Sequence, residues 1–156
     1  MSVVALTLVG AARYEVQPER HRVRVTVDLV ATNRTKETVT TRYVYDRANL
    51  AVLPRTTGFR ATNDGVKVGV TVAGRSRTST LLTIRFAKRL GSGRSTPIRL
   101  TFYLPDPGGS PARDVRIGDA LAMFPVWAYG TSGTPGSSVS VGFPASYDVQ
   151  VAAGRL

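Results

Sequence analysis

The chain has 156 residues, 42% hydrophobic and 20% charged, which is the size and composition of one globular domain able to bury a core without covalent staples. With no cysteine and a single histidine, His21, it has no means to build a disulfide framework, a thiolate nucleophile, or a Cys-based or multi-histidine metal site. The formal net charge of +11 favours anionic partners in general, but the basic residues, all arginine except Lys36, Lys67 and Lys88, are scattered and often alternate with apolar residues as on a solvated sheet face, so nucleic acid is not an expected partner.

In chain order, residues 2–12 are apolar, lack a basic leader and are too short to span a bilayer; they read as an edge strand, with a signal remnant as the alternative. Arg22 to Asn33 is the clearest strand, with Val23, Val25, Val27, Leu29 and Ala31 on one face and Arg22, Arg24, Thr26 and Asp28 on the other. After the turn Asn33-Arg34-Thr35-Lys36, the stretch Thr38 to Asp46 is rich in Thr, Tyr and Val and is expected to pair with it in antiparallel fashion. Leu50 to Leu53 is a short apolar run stopped by Pro54, and Phe59 to Thr62 leads into Asn63-Asp64-Gly65, a step that supplies the positive φ of a tight turn. Val66 to Val72 alternates again as one strand, and Gly74 to Thr78 breaks it.

Thr80 to Lys88 places Leu82, Ile84 and Phe86 inward, Gly91-Ser92-Gly93 turns the chain, and Pro97 to Pro105 places Ile98, Leu100, Phe102 and Leu104 inward. A turn-rich stretch, Asp106 to Pro111, precedes an expected strand over Ala120 to Tyr129. A Gly/Ser/Thr/Pro loop over 130–136 then leads to two final strands, Val139 to Phe143 and Tyr147 to Ala152. About nine short strands with regular turns and no 3.6-residue stripe predict a single all-β domain over 1–156, an antiparallel β-sandwich of immunoglobulin-like or saddle form. A closed barrel is the alternative.

Asp28, Asp46, Asp114, Asp119 and Asp148 are spread over strand faces and ends, and no spacing sets two of them to share a site as a hydrolase would need; they read as partners of neighbouring arginines. Between Arg20 and Arg22, His21 reads as a strand-edge residue. Gly91-Ser92-Gly93-Arg94-Ser95-Thr96 superficially matches a phosphate loop but lacks its lysine and its following helix, and reads as a hairpin. Asn33-Arg34-Thr35 matches the glycosylation acceptor pattern. Among the aromatics, Trp127 and Tyr129 are the candidate ligand-binding residues, because the Gly-rich loop after them would leave their rings open to an envelope glycan or a peptide. No catalytic constellation, metal site or cofactor is expected.

The order of pieces resembles the amino-terminal β-domain of the aminopeptidase N family of zinc peptidases, and the related domain of secreted or membrane-anchored actinobacterial proteins of that kind. The resemblance is carried by Tyr14-Glu15-Val16 with Pro18 and the Val23 to Asn33 strand; by Phe86, Leu90 and Gly93 before Ile98 to Leu104; and by Phe124-Pro125 with Trp127, then Val139 to Pro144 and Tyr147-Asp148-Val149 running to Gly154. It implies a noncatalytic sandwich that packs on a catalytic domain in cis, in an extracellular or cell-envelope protein. The departures matter equally. The family's acidic residues after Phe-Pro are replaced by Val126, Trp127, Ala128 and Tyr129, and neither His-Glu-x-x-His nor Gly-x-Met-Glu-Asn occurs, so this chain by itself is not expected to be the zinc enzyme.

Overall fold

Strict alternation over long stretches produces long strands, and the two longest define the molecule. In the computed structural model, which describes residues 5–153, β1 (Leu6–Gln17) and β2 (Arg22–Asn33) pair antiparallel along their whole length around a single 3-10 turn, Pro18–Arg20. Residues 2–4 of the first apolar stretch and Gly154 lie outside the described residues. The other strands are β3 (Tyr45–Val52), β4 (Thr57–Asn63), β5 (Val66–Val68), β6 (Val70–Arg75), β7 (Thr80–Leu90), β8 (Ser95–Pro105), β9 (Arg116–Ile117), β10 (Ala122–Met123) and β11 (Ser138–Gly142). Eleven strands thus stand where about nine were expected, arranged as a sandwich, with no α-helix among the described residues and so none long and apolar enough to cross a membrane.

The large sheet has the order β11-β1-β2-β8-β4-β5, and a smaller one the order β3-β7-β6. Residues facing each other across the large sheet share the core side: Tyr14, Val25 and Phe102 lie in one row, Ala12, Val27 and Leu100 in the next, Gly10, Leu29 and Ile98 in the third. Ala48, Leu50 and Val52 of β3 and Leu82, Ile84 and Phe86 of β7 complete the same core from the small sheet. Each buried Leu, Ile, Val or Phe side chain is worth about 1.5–3 kcal/mol, so these rows carry most of the fold's stability.

The β4–β5 hairpin turns through Asp64 (φ 53°) and Gly65 (φ 78°), the pair of positive φ values that a two-residue turn of matching twist requires. The run Val66 to Val72 is not one strand. Gly69 divides it into β5, on the edge of the large sheet, and β6, on the edge of the small one, and the Gly69 carbonyl accepts from Arg85 N–H in β7 (3.0 Å). Other expectations are also corrected. Residues 38–44 form an exposed loop rather than a strand paired with β2, whose neighbours are β1 and β8; Phe124 to Tyr129 and Tyr147 to Ala152 lack strand structure; and β11 pairs with β1 in parallel, the one departure from antiparallel order. The parallel sense follows from the long passage between β8 and β11, which carries the chain back across the sheet before it re-enters at the edge.

Two buried asparagines join the layers where strands end. Asn33 donates its amide hydrogens to the carbonyls of Tyr43 and Leu90, both at 3.1 Å, and its carbonyl oxygen accepts from Thr35 N–H (3.0 Å). Asn63 donates to Thr96 Oγ1 (2.8 Å) and the Pro97 carbonyl (2.9 Å) and accepts from Ala87 N–H in β7 (2.8 Å). With 0% exposure and both amide hydrogens engaged, Asn33 is a structural staple and not an accessible glycan acceptor. Asn33→Ala would strand the buried Leu90 carbonyl and release the partly buried Tyr43 carbonyl; the expected loss is about 1–3 kcal/mol, read as a lowered urea midpoint with little change in slope.

Candidate functional site

The small sheet stacks on the β4 side of the large one, and the other half of the apolar face is covered by the irregular segment Val115 to Thr131. Tyr14 is the anchor of that cover. Its position on the inward row of β1 buries it fully, and its hydroxyl donates to the Trp127 carbonyl (2.8 Å), accepts from Trp127 N–H (2.9 Å) and lies 3.1 Å from the Tyr129 hydroxyl. One side-chain oxygen thereby satisfies both main-chain polar groups of a residue that has no strand partner. The rings pack alongside: Tyr14 stacks on Phe124 (6.2 Å between centroids), Tyr129 meets Phe102 edge-on (6.2 Å), and Trp127 is tilted against Tyr129 (6.5 Å).

The two candidate ligand-binding residues are therefore brought together, but in the cover of the core. Tyr129 is 2% exposed, with its ring closed off from solvent; Trp127 is half-buried and packed against the core. The Gly-rich loop lies against β1, with which its own groups pair, and Tyr129 is closed while Trp127 keeps part of its surface. Thr131 Oγ1 accepts from Leu8 N–H (2.8 Å), Ser137 Oγ from Gly10 N–H (3.2 Å), and Thr131 N–H donates to the Leu8 carbonyl (2.8 Å). Gly10 is required at this crossing, since a Cβ there would stand 2.6 Å from the Tyr129 carbonyl oxygen.

A second knot sits at the opposite end of β2 from Asn33. Asp106 accepts from Arg113 Nε (2.6 Å) and Nη2 (2.9 Å) and from the backbone N–H groups of Gly108 (2.8 Å) and Ile117 (2.9 Å). Its own N–H donates to the His21 carbonyl (2.9 Å), while His21, in the left-handed region (φ 50°), sets Nδ1 2.9 Å from the Ile117 carbonyl oxygen. The Arg113 guanidinium, ahead of the Ile117 and Gly108 amides, holds the Asp106 carboxyl well below the usual carboxylate range. Asp106 organises the loop that leads into the cover segment.

Some of the remaining carboxylates are arginine partners, as expected, but Asp119 and Asp148 form no ion pair among the described residues. Asp28 pairs with Arg99 (2.6 Å), Asp46 with Arg47 (2.7 Å), Asp114 with Arg55 (3.5 Å) and Glu15 with Arg13 (3.1 Å). No three His, Asp or Glu residues gather to hold a metal ion among the described residues. An open cleft of about 390 Å³ on the outer face, lined by Asp28, Val30, Thr62, Asp64, Pro97 and Arg99, has its central charges already joined as the Asp28–Arg99 pair. Sequence reasoning missed Tyr14, Asn33 and Asp106 as organising groups. Only Tyr14 carried a signal, as a polar-tipped ring at an inward strand position, where its hydroxyl must find a partner.

Tyr14→Phe keeps the ring and removes the hydroxyl, so it should cost about 1–3 kcal/mol and shift the emission of Trp127, the only tryptophan, toward that of a wetter indole. Burial pushes the Tyr14 phenol up from 10.0, and burial together with the neighbouring Tyr14 pushes Tyr129 up further. Folded-state values above the unfolded ones mean stability that is intact below about pH 10 and declines as pH rises beyond it, with a shallower decline in Tyr14→Phe. The sign reverses for Asp106: its depressed value supports the fold above the ordinary carboxylate range and is lost as pH falls below about 4, so Asp106→Asn should flatten the acid limb of a stability–pH profile.

No family model and no curated protein matches the chain. Among solved structures, it is similar in fold to native leukotriene A4 hydrolase from Saccharomyces cerevisiae, at 14% identity and a TM-score of 0.50 over 66% of this chain. M1 zinc metallopeptidase from Deinococcus radiodurans aligns at 18% identity with a TM-score of 0.47 over 76% of this chain. The chain spans only 15% of the first of these proteins and 25% of the second.

Proposed function

We propose that the chain is a noncatalytic accessory β-sandwich that supports or flanks a peptidase-like catalytic domain in cis, as part of a longer extracellular or cell-envelope protein related to the actinobacterial proteins of the aminopeptidase N kind. The observation that carries this reading is an apolar surface on the carboxy-terminal segments, where Leu121, Met123, Val149 and Val151 are 40–54% exposed. The Tyr147 hydroxyl donates to the Gly118 carbonyl and ties the tail to the β9–β10 turn, so the apolar side chains belong to two segments held together. Clustered apolar exposure of this kind marks a face that a neighbour covers. A sandwich of this fold forming 15% of a longer chain, as in the yeast hydrolase, supports a role as one part of a larger protein.

Hydrogen exchange compared between this chain and the protein expressed from its full open reading frame tests the reading. Amides over 119–123 and 147–153 should gain protection in the longer protein, and aminoacyl-amide substrates should be cleaved only by the longer one. Equal protection at those amides in both, or hydrolysis by this chain alone, would overturn it.

A further inference from the structure

The end of the sandwich at Asn33 gathers positive charge that no local carboxylate neutralises. Asn33 and its neighbours tie three segments together there: its side chain holds the carbonyls of Tyr43 and Leu90, its N–H donates to the Arg94 carbonyl (3.0 Å), its carbonyl accepts from Gly93 N–H (2.8 Å), and Ser92 Oγ donates to the Thr35 carbonyl. Each of those partners lies within two residues of a cation, so Arg34, Lys36, Arg42, Lys88, Arg89 and Arg94 meet at one end, all exposed. None of the six is in an ion pair among the described residues, whereas Arg13, Arg47, Arg55, Arg85, Arg99 and Arg113 are each paired with a carboxylate. Glu37 is the acidic residue of the loop.

The loop between β2 and β3 adds a second feature. It folds through a turn in which Thr38 N–H donates to the Thr41 carbonyl (3.0 Å) and Thr41 N–H to Thr38 Oγ1 (3.0 Å), and this turn holds Val39 clear of the protein at 105% relative exposure. Tyr43 and Val44, on the same loop, are also exposed. An exposed apolar tip on a loop that also exposes Tyr43 and Val44, with unpaired cations on that loop and on the segments tied to its base, matches the chemistry of a lipid headgroup layer: the cations meet anionic headgroups, and the apolar tip and tyrosine enter the interfacial zone. A linear polyanion would use the charges alone and leave Val39 and Val44 in water.

We propose that this pole is a peripheral docking surface for an anionic lipid bilayer, with Arg34, Lys36, Arg42, Lys88, Arg89 and Arg94 as the charge contacts and Val39, Tyr43 and Val44 as the inserted tip. The Gly91-Ser92-Gly93-Arg94 turn, which does not form a phosphate loop, is tied by its main chain to Asn33 at the base of the loop that carries the tip, with Arg94 exposed. Docking of this kind is electrostatic at long range and apolar at contact, so it weakens with salt and requires both features.

Co-sedimentation of the chain with phosphatidylcholine vesicles, with and without phosphatidylglycerol, tests the proposal, run beside elution from heparin. Binding should require phosphatidylglycerol; the double variant Lys36→Glu/Arg42→Glu should lower vesicle partition by more than about tenfold. Val39→Ser should weaken vesicle partition while leaving the salt needed for heparin elution unchanged. All the substituted positions are exposed, and thermal melts of the variants should superimpose on that of the parent chain. Retention on heparin or duplex DNA without vesicle binding would assign the pole to a soluble polyanion and overturn the proposal. Equal binding to phosphatidylcholine alone, or vesicle binding insensitive to both variants, would overturn it as well.

Discussion

A six-stranded sheet with one apolar face cannot be covered by a three-stranded sheet, and this mismatch in area is the constraint on which the rest of the structure depends. The small sheet lies against the β4 side, leaving Leu8, Ala12, Tyr14 and Val25 to be shielded by something else. The chain answers with a segment that is irregular apart from the short β9–β10 pair, and such a segment brings its own difficulty, because every buried N–H and C=O without a strand partner must be satisfied. Tyr14 meets this for Trp127, and Thr131 and Ser137 meet the reciprocal need of the β1 edge at Leu8 and Gly10. Cover and sheet are thus coupled through side-chain oxygens, and the cover sets Tyr129 fully, and Phe124 and Trp127 partly, against the core.

That coupling also explains what could be read from the chain and what could not. The period-two rows of β2, β7 and β8 are direct consequences of one buried face, and each expected inward residue from Val23 to Ala31, from Leu82 to Phe86 and from Ile98 to Leu104 lies in the core. Alternation names a face but not a partner, so Val66 to Val72 gave no sign that Gly69 passes it from one sheet to the other. Phe124 to Tyr129 read as a strand because its apolar content is that of one; Pro125 lacks a ladder donor, and the polar groups of Trp127 are taken by a hydroxyl 113 residues earlier. The roles of Asn33 and Asp106 were equally hidden. A short polar residue at a strand end looks the same whether it is solvated or holds three segments together.

Burial changes the meaning of the aromatic cluster. Rings so placed contribute area and edge-to-face contact to the core, and their tight satisfaction leaves Tyr129 with no free polar tip to offer a ligand. The two proposed contact surfaces lie where the interior's demands are absent, in regions of exposed side chains that the fold does not use. One is apolar and belongs to the segments around β9, β10 and Tyr147; the other is cationic and belongs to the loops around Asn33.

These two regions lie at opposite ends of the same strand. β2 begins at Arg22, beside the His21–Asp106–Ile117 knot from which the β9–β10 turn departs, and ends at Asn33; twelve extended residues separate its ends by about 40 Å. A neighbour docked on the apolar end would therefore leave the cationic end uncovered, and a planar anionic surface at the cationic end would hold the apolar end well beyond a Debye length, about 8 Å at physiological ionic strength. The two proposed contacts do not compete for residues or for space. Because β2 is hydrogen-bonded along its length to β1 and almost as far to β8, it acts as a rigid spacer between them. The same alternation that builds the core thus sets the distance at which a partner domain would stand from a membrane.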